Sequence, residues 1–249
     1  MDSKLQFSSD ASVEIIVHCW KYSRLLCYQL SSLLLHPPTV PTQITIFASD
    51  KDEPTKKTVE FFKDRGVDAR IWLLRHERLF RRGIGRNLAA RATEASVAWF
   101  ADCDYCFGPG AIDSLAGCLA KEALYRPKNL FFQKNHALGD AYIDRLVPGE
   151  PEVVAVNDED FLVESTRKSI GGIQIVSGEV ARTLGYLETW RRGRYMADVL
   201  DVGFQRCVED GQYRKHLKQH GIEKASLSIP NVYRIRHTGV GREQPDLIL

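Results

Sequence analysis

Four apolar runs alternate with segments of helical period, and this alternation constrains the chain more than any motif. VEIIVHCW (13–20), QITIFASD (43–50), ARIWLL (69–74) and VAWFADCD (97–104) are rich in β-branched and aromatic residues, as buried parallel strands are. Between the first two lies KYSRLLCYQLSSLLLH, with Leu26, Leu30, Leu33 and Leu34 at helical spacing and PPTVPT to end it. PTKKTVEFFKDRG (54–66) is a second helix closed by glycine, and GRNLAARATEA (85–95) is a third. A helix at about 109–121 then leads to a fifth strand, NLFFQ (129–133). The order predicts an α/β fold, a parallel sheet with helices on both faces. Ligands of such sheets gather at the carboxyl ends of the strands. Here those ends read Trp20, Asp50, Arg75 and Asp102-Cys103-Asp104, each polar, charged or aromatic.

The second half is less regular. Residues 138–168 are long and acidic and carry Pro148 and Pro151, which reads as a loop or lid. SIGGIQIVSGEVARTLGYLE (169–188) reads as a glycine-rich turn, a short strand and a helix. RRGRYM is a basic turn, DVLDVGFQRCVEDG (198–211) another helix, and NVYRIRHTGVGR (231–242) a late strand ending at His237. With no repeat, low-complexity tract or linker, the expectation is one domain over 1–249.

Charge narrows the ligand. The chain of 249 residues carries a formal net charge of only +2, so nothing in the total calls for nucleic acid or an anionic membrane. Yet residues 75–91 hold Arg75, Arg78, Arg81, Arg82, Arg86 and Arg91 against Glu77 alone, a patch suited to a small anion. The opening MDSKLQFSSDASVE has no apolar signal region, and LLCYQLSSLLL (25–35) is too short to span a bilayer. The six cysteines lie within predicted elements rather than in a disulfide framework, so a reduced, cytoplasmic enzyme is expected.

Three stretches bear on chemistry. In Asp102-x-Asp104 the carboxylates point the same way on an extended chain, and two such charges together need a cation or a proton. Oxygen ligands favour Mg²⁺ or Mn²⁺ bridging to phosphate; the alternative is a pair of aspartates capping the next turn. Cys103-x-x-Cys106 lacks the second ligand pair of a structural zinc and reads as buried packing, with a redox role as its rival. RRGIGRNLAAR lacks the third glycine of a dinucleotide fingerprint and follows the third strand, not the first. It leaves Arg86 and Asn87 at a helix start where an anion could be met, or a solvated basic face.

Taken together in this order, EIIVHCW, FASD, GRNLAA, FADCD, the Gly-Gly turn, DVLDVGFQRCVEDG and RIRHTG resemble a family-2 glycosyltransferase of the GT-A fold over about residues 12–240. The resemblance implies a GT-A-like single domain: a Rossmann-like, mostly parallel sheet with a nucleotide-sugar half (12–137) and a mixed acceptor half (138–249). It implies a donor, a UDP-sugar by family habit, held by Trp20, Asp50, Arg86, Asn87 and Asp102. Asp104, Asp102 and His237 would hold Mn²⁺ or Mg²⁺. Gly171 and Gly172 would let backbone approach the sugar or acceptor, a carbohydrate or glycoconjugate. Asp201 or Asp198 would be the general base of an inverting in-line displacement. The family's acidic motif usually has adjacent Glu-Asp, which neither aspartate shows. No nucleic-acid partner and no transmembrane segment are expected, and peripheral membrane association is compatible with this reading. The alternatives are a nucleotidyltransferase of similar fold, disfavoured because HCWKYSRLL lacks a glycine-rich loop, and a catalytically inactive nucleotide- or carbohydrate-binding relative.

Overall fold

A computed structural model describes residues 11–79, 81–120, 122–187 and 209–238. The elements run β1 (Val13–His18), α1 (Ser23–Leu35), β2 (Thr42–Ser49), α2 (Glu53–Lys63), β3 (Ala69–Leu74), α3 (His76–Leu79), α4 (Arg82–Ala92), β4 (Val97–Asp102) and β5 (Tyr105–Phe107). They continue with β6 (Ala123–Pro127), β7 (Asn129–Gln133), α5 (His136–Asp144), β8 (Phe161–Ser165), β9 (Gln174–Ser177), α6 (Gly178–Leu184), α7 (Glu209–Gln219), β10 (Glu223–Leu227) and β11 (Val232–Arg234).

Seven strands form the main sheet in the order β10-β6-β9-β4-β1-β2-β3. All of its pairings are parallel except those of β9, which runs against both β4 and β6. Strand alternation sorts the apolar residues onto two faces. Ile15, Val17 and Trp99 join a core with Leu26, Leu30 and Phe62 from α1 and α2. Ile16, Phe47 and Phe100 join another with Ala89, Val180, Tyr213 and Leu217 from α4, α6 and α7. Helices therefore cover both faces, as the alternation predicts. A smaller sheet, β5-β11-β7-β8, hangs from the carboxyl end of β4.

Local chemistry sets several boundaries. Asp52 caps α2, its Oδ1 accepting from the Thr55 N–H at 3.2 Å, and Pro54 occupies the first turn. Pro37 and Pro38 follow α1 directly and end it. Ser177 caps α6 by accepting from the Val180 N–H.

Four expectations change. The helix expected at 109–121 is a turn followed by a 3-10 stretch over Asp113–Ala120, and β6 comes where no strand was expected. The loop expected over 138–168 contains most of α5 at its start and β8 near its end. Its middle is tied to α1 by the Val154 N–H, which donates to Ser31 Oγ at 2.9 Å. The late strand stops at Arg234, three residues short of His237. Of the helix expected over 198–211, residues 198–208 lie outside those described, and α7 begins at Glu209. Among the described residues no helix is long and apolar enough to cross a membrane.

Candidate active site

At the carboxyl ends of β1 and β4 the sheet opens into a cavity of about 240 Å³. The parallel register places His18 beside Asp102, so both strands end at one level. The chain then diverges on each side, and a crevice is left between them. The lining brings together Trp20, Asp102, Asp104 and His237, four of the residues expected from sequence. It adds Arg82 from the basic patch expected to meet an anion, and His18, Tyr22, Leu79, Cys103 and Arg234, which were not singled out.

Asp102 is held by two arginines from one helix face. Arg82 and Arg86 stand one turn apart on α4 and donate to Asp102 Oδ1 at 2.9 and 3.0 Å. Burial pushes the Asp102 carboxyl up, but Arg82, Arg86 and Arg234 outweigh it and hold the group below the ordinary carboxylate range. Arg86 itself is wholly buried. Its other terminal nitrogen donates to Asp210 Oδ1 at 2.9 Å and to the Tyr186 hydroxyl at 3.1 Å. Burial would lower its pKa, yet Tyr186, Asp210 and Asp102 raise it. Arg86 thus ties β4 to the start of α7 and stands behind the cavity wall rather than in it.

Asp104, in the same lining, is held by a different arginine. Its chain leaves β4 in a turn, and Oδ2 accepts from Arg234 Nε at 3.0 Å. Asp104 also accepts from the Ile235 N–H through its backbone oxygen, which locks β11 behind it. Its Oδ1 is buried and has no hydrogen-bond partner among the described residues. A buried carboxylate oxygen so left is costly, and a cation brought to the cavity would satisfy it.

His18 is half-buried between Phe47, which it stacks at 4.9 Å, and α4 at Gly85. A Cβ on Gly85 would stand 2.4 Å from His18 Nε2, so only glycine allows the helix this close. Neither ring nitrogen has a hydrogen-bond partner, and burial, then Arg86 and Arg82, push the imidazole well below its usual pKa. His237 packs edge-on against Tyr22, with ring centroids 5.2 Å apart.

The other expected residues lie elsewhere. Asp50 is exposed just past β2 and is not part of this lining. Asn87 points a third of a turn away from Arg86 and packs under Gly185, where a Cβ would meet its Oδ1 at 2.4 Å. Gly171 and Gly172 form a buried 3-10 turn before β9. A Cβ on Gly171 would stand 2.2 Å from Asp210 Oδ2, and one on Gly172 would stand 2.3 Å from the Tyr105 ring. The two glycines let Asp210 and Tyr105 press against backbone. Asp198 and Asp201 lie outside the described residues.

Asp210 is the carboxylate that sequence reasoning passed over. It opens α7 beside Glu209, whose Oε2 accepts from the Gly83 N–H at 2.8 Å and whose carboxyl is raised by burial. The sequence signal for it is the adjacent Glu209-Asp210 pair at the end of DVLDVGFQRCVEDG, downstream of Asp198 and Asp201.

Cys103 and Cys106 are free and buried. The thiol of Cys103 is raised by its hydrogen bond with Cys19 and by burial, and that of Cys106 by burial, which suits packing rather than thiolate chemistry. Among the described residues no three His, Cys, Asp or Glu side chains stand together as a complete metal cage. The donors offered are the unpartnered Asp104 oxygen and the neighbouring Asp102. That partial set suits a hard divalent ion which takes its remaining ligands from phosphate and water.

The mostly parallel seven-stranded sheet with its cleft at the carboxyl ends defines a GT-A-like α/β fold. Solved structures of S. aureus TarS share it. One superposes with a TM-score of 0.60 at 15% identity, covering 90% of this chain and 36% of that one. TarS 1–349 in complex with UDP gives 0.56 at 16% identity, and its complex with UDP-GlcNAc gives 0.57 at 15%. These cover 89% and 93% of this chain and 60% of each of those. This chain thus spans less than two thirds of the structures it resembles. No protein-family model and no curated protein matches the sequence.

Proposed function

We propose that this protein transfers a sugar from a nucleoside diphosphate, a UDP-sugar, to an acceptor hydroxyl. The observation that carries the reading is the cavity at the ends of β1 and β4, where two aspartates and two arginines face one space. Its fold is that of TarS structures solved with UDP and with UDP-GlcNAc. Arg82 and Arg234 supply fixed positive charge where a departing diphosphate would gather negative charge. Trp20 and Tyr22 offer aromatic faces for the nucleoside.

Asp104, through its unpartnered oxygen, and Asp102 would hold Mn²⁺ or Mg²⁺, with His237 across the same cavity. When bound, such an ion offsets charge on the leaving phosphate. Asp210 is the acceptor's proton-accepting carboxylate in this reading. Arg86 and the Gly171 backbone hold it beside Asp102, and Asp198 and Asp201 remain the upstream candidates. A base set opposite the leaving group gives inversion by in-line displacement.

The test is thermal unfolding with UDP, with and without Mn²⁺, on the wild type and on Asp104→Asn. The wild type should gain stability with UDP and gain more with Mn²⁺, and the variant should lose the Mn²⁺-dependent part. No shift with UDP, GDP or dTDP in either metal would sink the proposal.

A further inference from the structure

A second cavity, of about 390 Å³, is lined among the described residues by Arg126, Arg167, Lys168, Arg214 and Lys224 together with Ser169, Ala225 and Ser226, and by no described carboxylate. Among the described residues none of these five cations forms an ion pair. Two of them are held in place by neutral groups. Arg126 donates to Thr166 Oγ1 at 2.7 Å, and Arg214 donates to the Ser169 carbonyl at 2.7 Å. Five cations kept together without a counter-charge repel one another, and an anion relieves that repulsion.

The position matters as much as the charge. The register runs Trp99 to Ile175 to Tyr125, so Arg126 on β6 lies at the same carboxyl-end level as the last residues of β4. β6 is two strands from β4, about 10 Å across the sheet. Ser169, which lines the basic cavity, stands two residues before the Gly171 turn that packs on Asp210. Gln174 Nε2 donates to the Ser169 carbonyl and to the Asp210 carbonyl, at 3.3 and 3.2 Å. Arg214 follows Asp210 by one helical turn on α7.

We propose that this basic cavity is an acceptor subsite and that the acceptor carries a phosphate group. The arginines suit a phosphate through paired N–H donors, and Ser169 and Ser226 offer hydroxyls to the hydroxyl-bearing group that carries it. An anchored phosphate leaves an acceptor hydroxyl on the Asp210 side of the Gly171 turn. The inference rests on the transferase reading above and adds the chemical class of its acceptor.

Calorimetric titration of the whole protein tests it, with sn-glycerol 3-phosphate as the probe, glycerol and inorganic phosphate as controls, and UDP with Mn²⁺ titrated in parallel. The exposed Arg167 and Lys224 are reversed together, Arg167→Glu with Lys224→Glu. Glycerol 3-phosphate should bind the wild type more tightly than inorganic phosphate does, and glycerol should not bind. The double variant should bind it at least about tenfold more weakly while keeping its affinity for UDP. Equal binding to wild type and variant, or no binding to a wild type that binds UDP, overturns the subsite and leaves the donor reading standing. Inorganic phosphate binding as tightly as the ester assigns the cavity to a free anion and overturns the acceptor. Loss of UDP binding in the wild type, with ester binding intact, fells the donor reading alone.

Discussion

Two charged regions lie along the same edge of the main sheet, and they are built on opposite plans. Around Asp102 the arginines and carboxylates match: Arg82 and Arg86 meet Asp102 and Asp210 at ion-pair distance. Around Arg126 five cations share a cavity with no acid among the described residues. The first region matches its own charges and so presents them to the cavity already fixed in place. Among the described residues the second has no matching charge of its own, and in the proposal above an anion supplies it. Matched charge holds a site's geometry; unmatched charge points to what is still to be bound.

The largest effect should come from the matched region. Arg86→Met leaves the Asp102 and Asp210 carboxylates facing each other without their shared cation, and should cost about 3–5 kcal/mol of stability in urea unfolding. A loss below about 1 kcal/mol would mean that Arg82 alone suffices and that the network is not a unit.

A smaller effect should appear in pH. The His18 imidazole is pushed down in the folded protein, while the unfolded chain titrates near the ordinary value of about 6.5. Below that pH the unfolded chain takes up a proton that the folded one refuses, so stability falls as pH falls, by up to about 1.4 kcal/mol per unit. His18→Gln should flatten that slope between about pH 6.5 and the onset of general acid unfolding. Identical slopes in the two proteins would show that His18 is not the group responsible.

The smallest effect belongs to the unmatched region. Arg167→Glu and Lys224→Glu touch exposed side chains and should move stability by no more than about 0.5 kcal/mol. A larger loss would make these cations structural and erase the contrast with Arg86.

Much of this was legible in the chain. The apolar runs at 13–20, 43–50 and 97–104 became β1, β2 and β4 because burial on both faces demands such composition, and the run at 69–74 became the edge strand β3, which leaves Trp72 and Leu73 exposed. Trp20, Asp102 and Asp104 meet in one cavity because they follow or end neighbouring strands of the parallel sheet, and His237 reaches it from the segment after β11 of the smaller sheet. β6 escaped because ALYRP holds a proline and a charge and carries no strand period. His18 escaped because, as the last residue of an apolar run, it looks like any strand terminus until Gly85 and Phe47 close on it.

The period of the apolar residues was enough to set the first four strands, the helices between them and the end of the sheet at which polar residues would collect. Which charges meet there was left to the tertiary structure. Arg86 and Asp210 are 124 residues apart and Asp104 and Arg234 are 130 apart. No local pattern encodes such a pair. It forms only when the sheet closes and the crossover helices bring remote segments to one edge, and that closure decides which carboxylates are neutralised and which cations still wait for an anion.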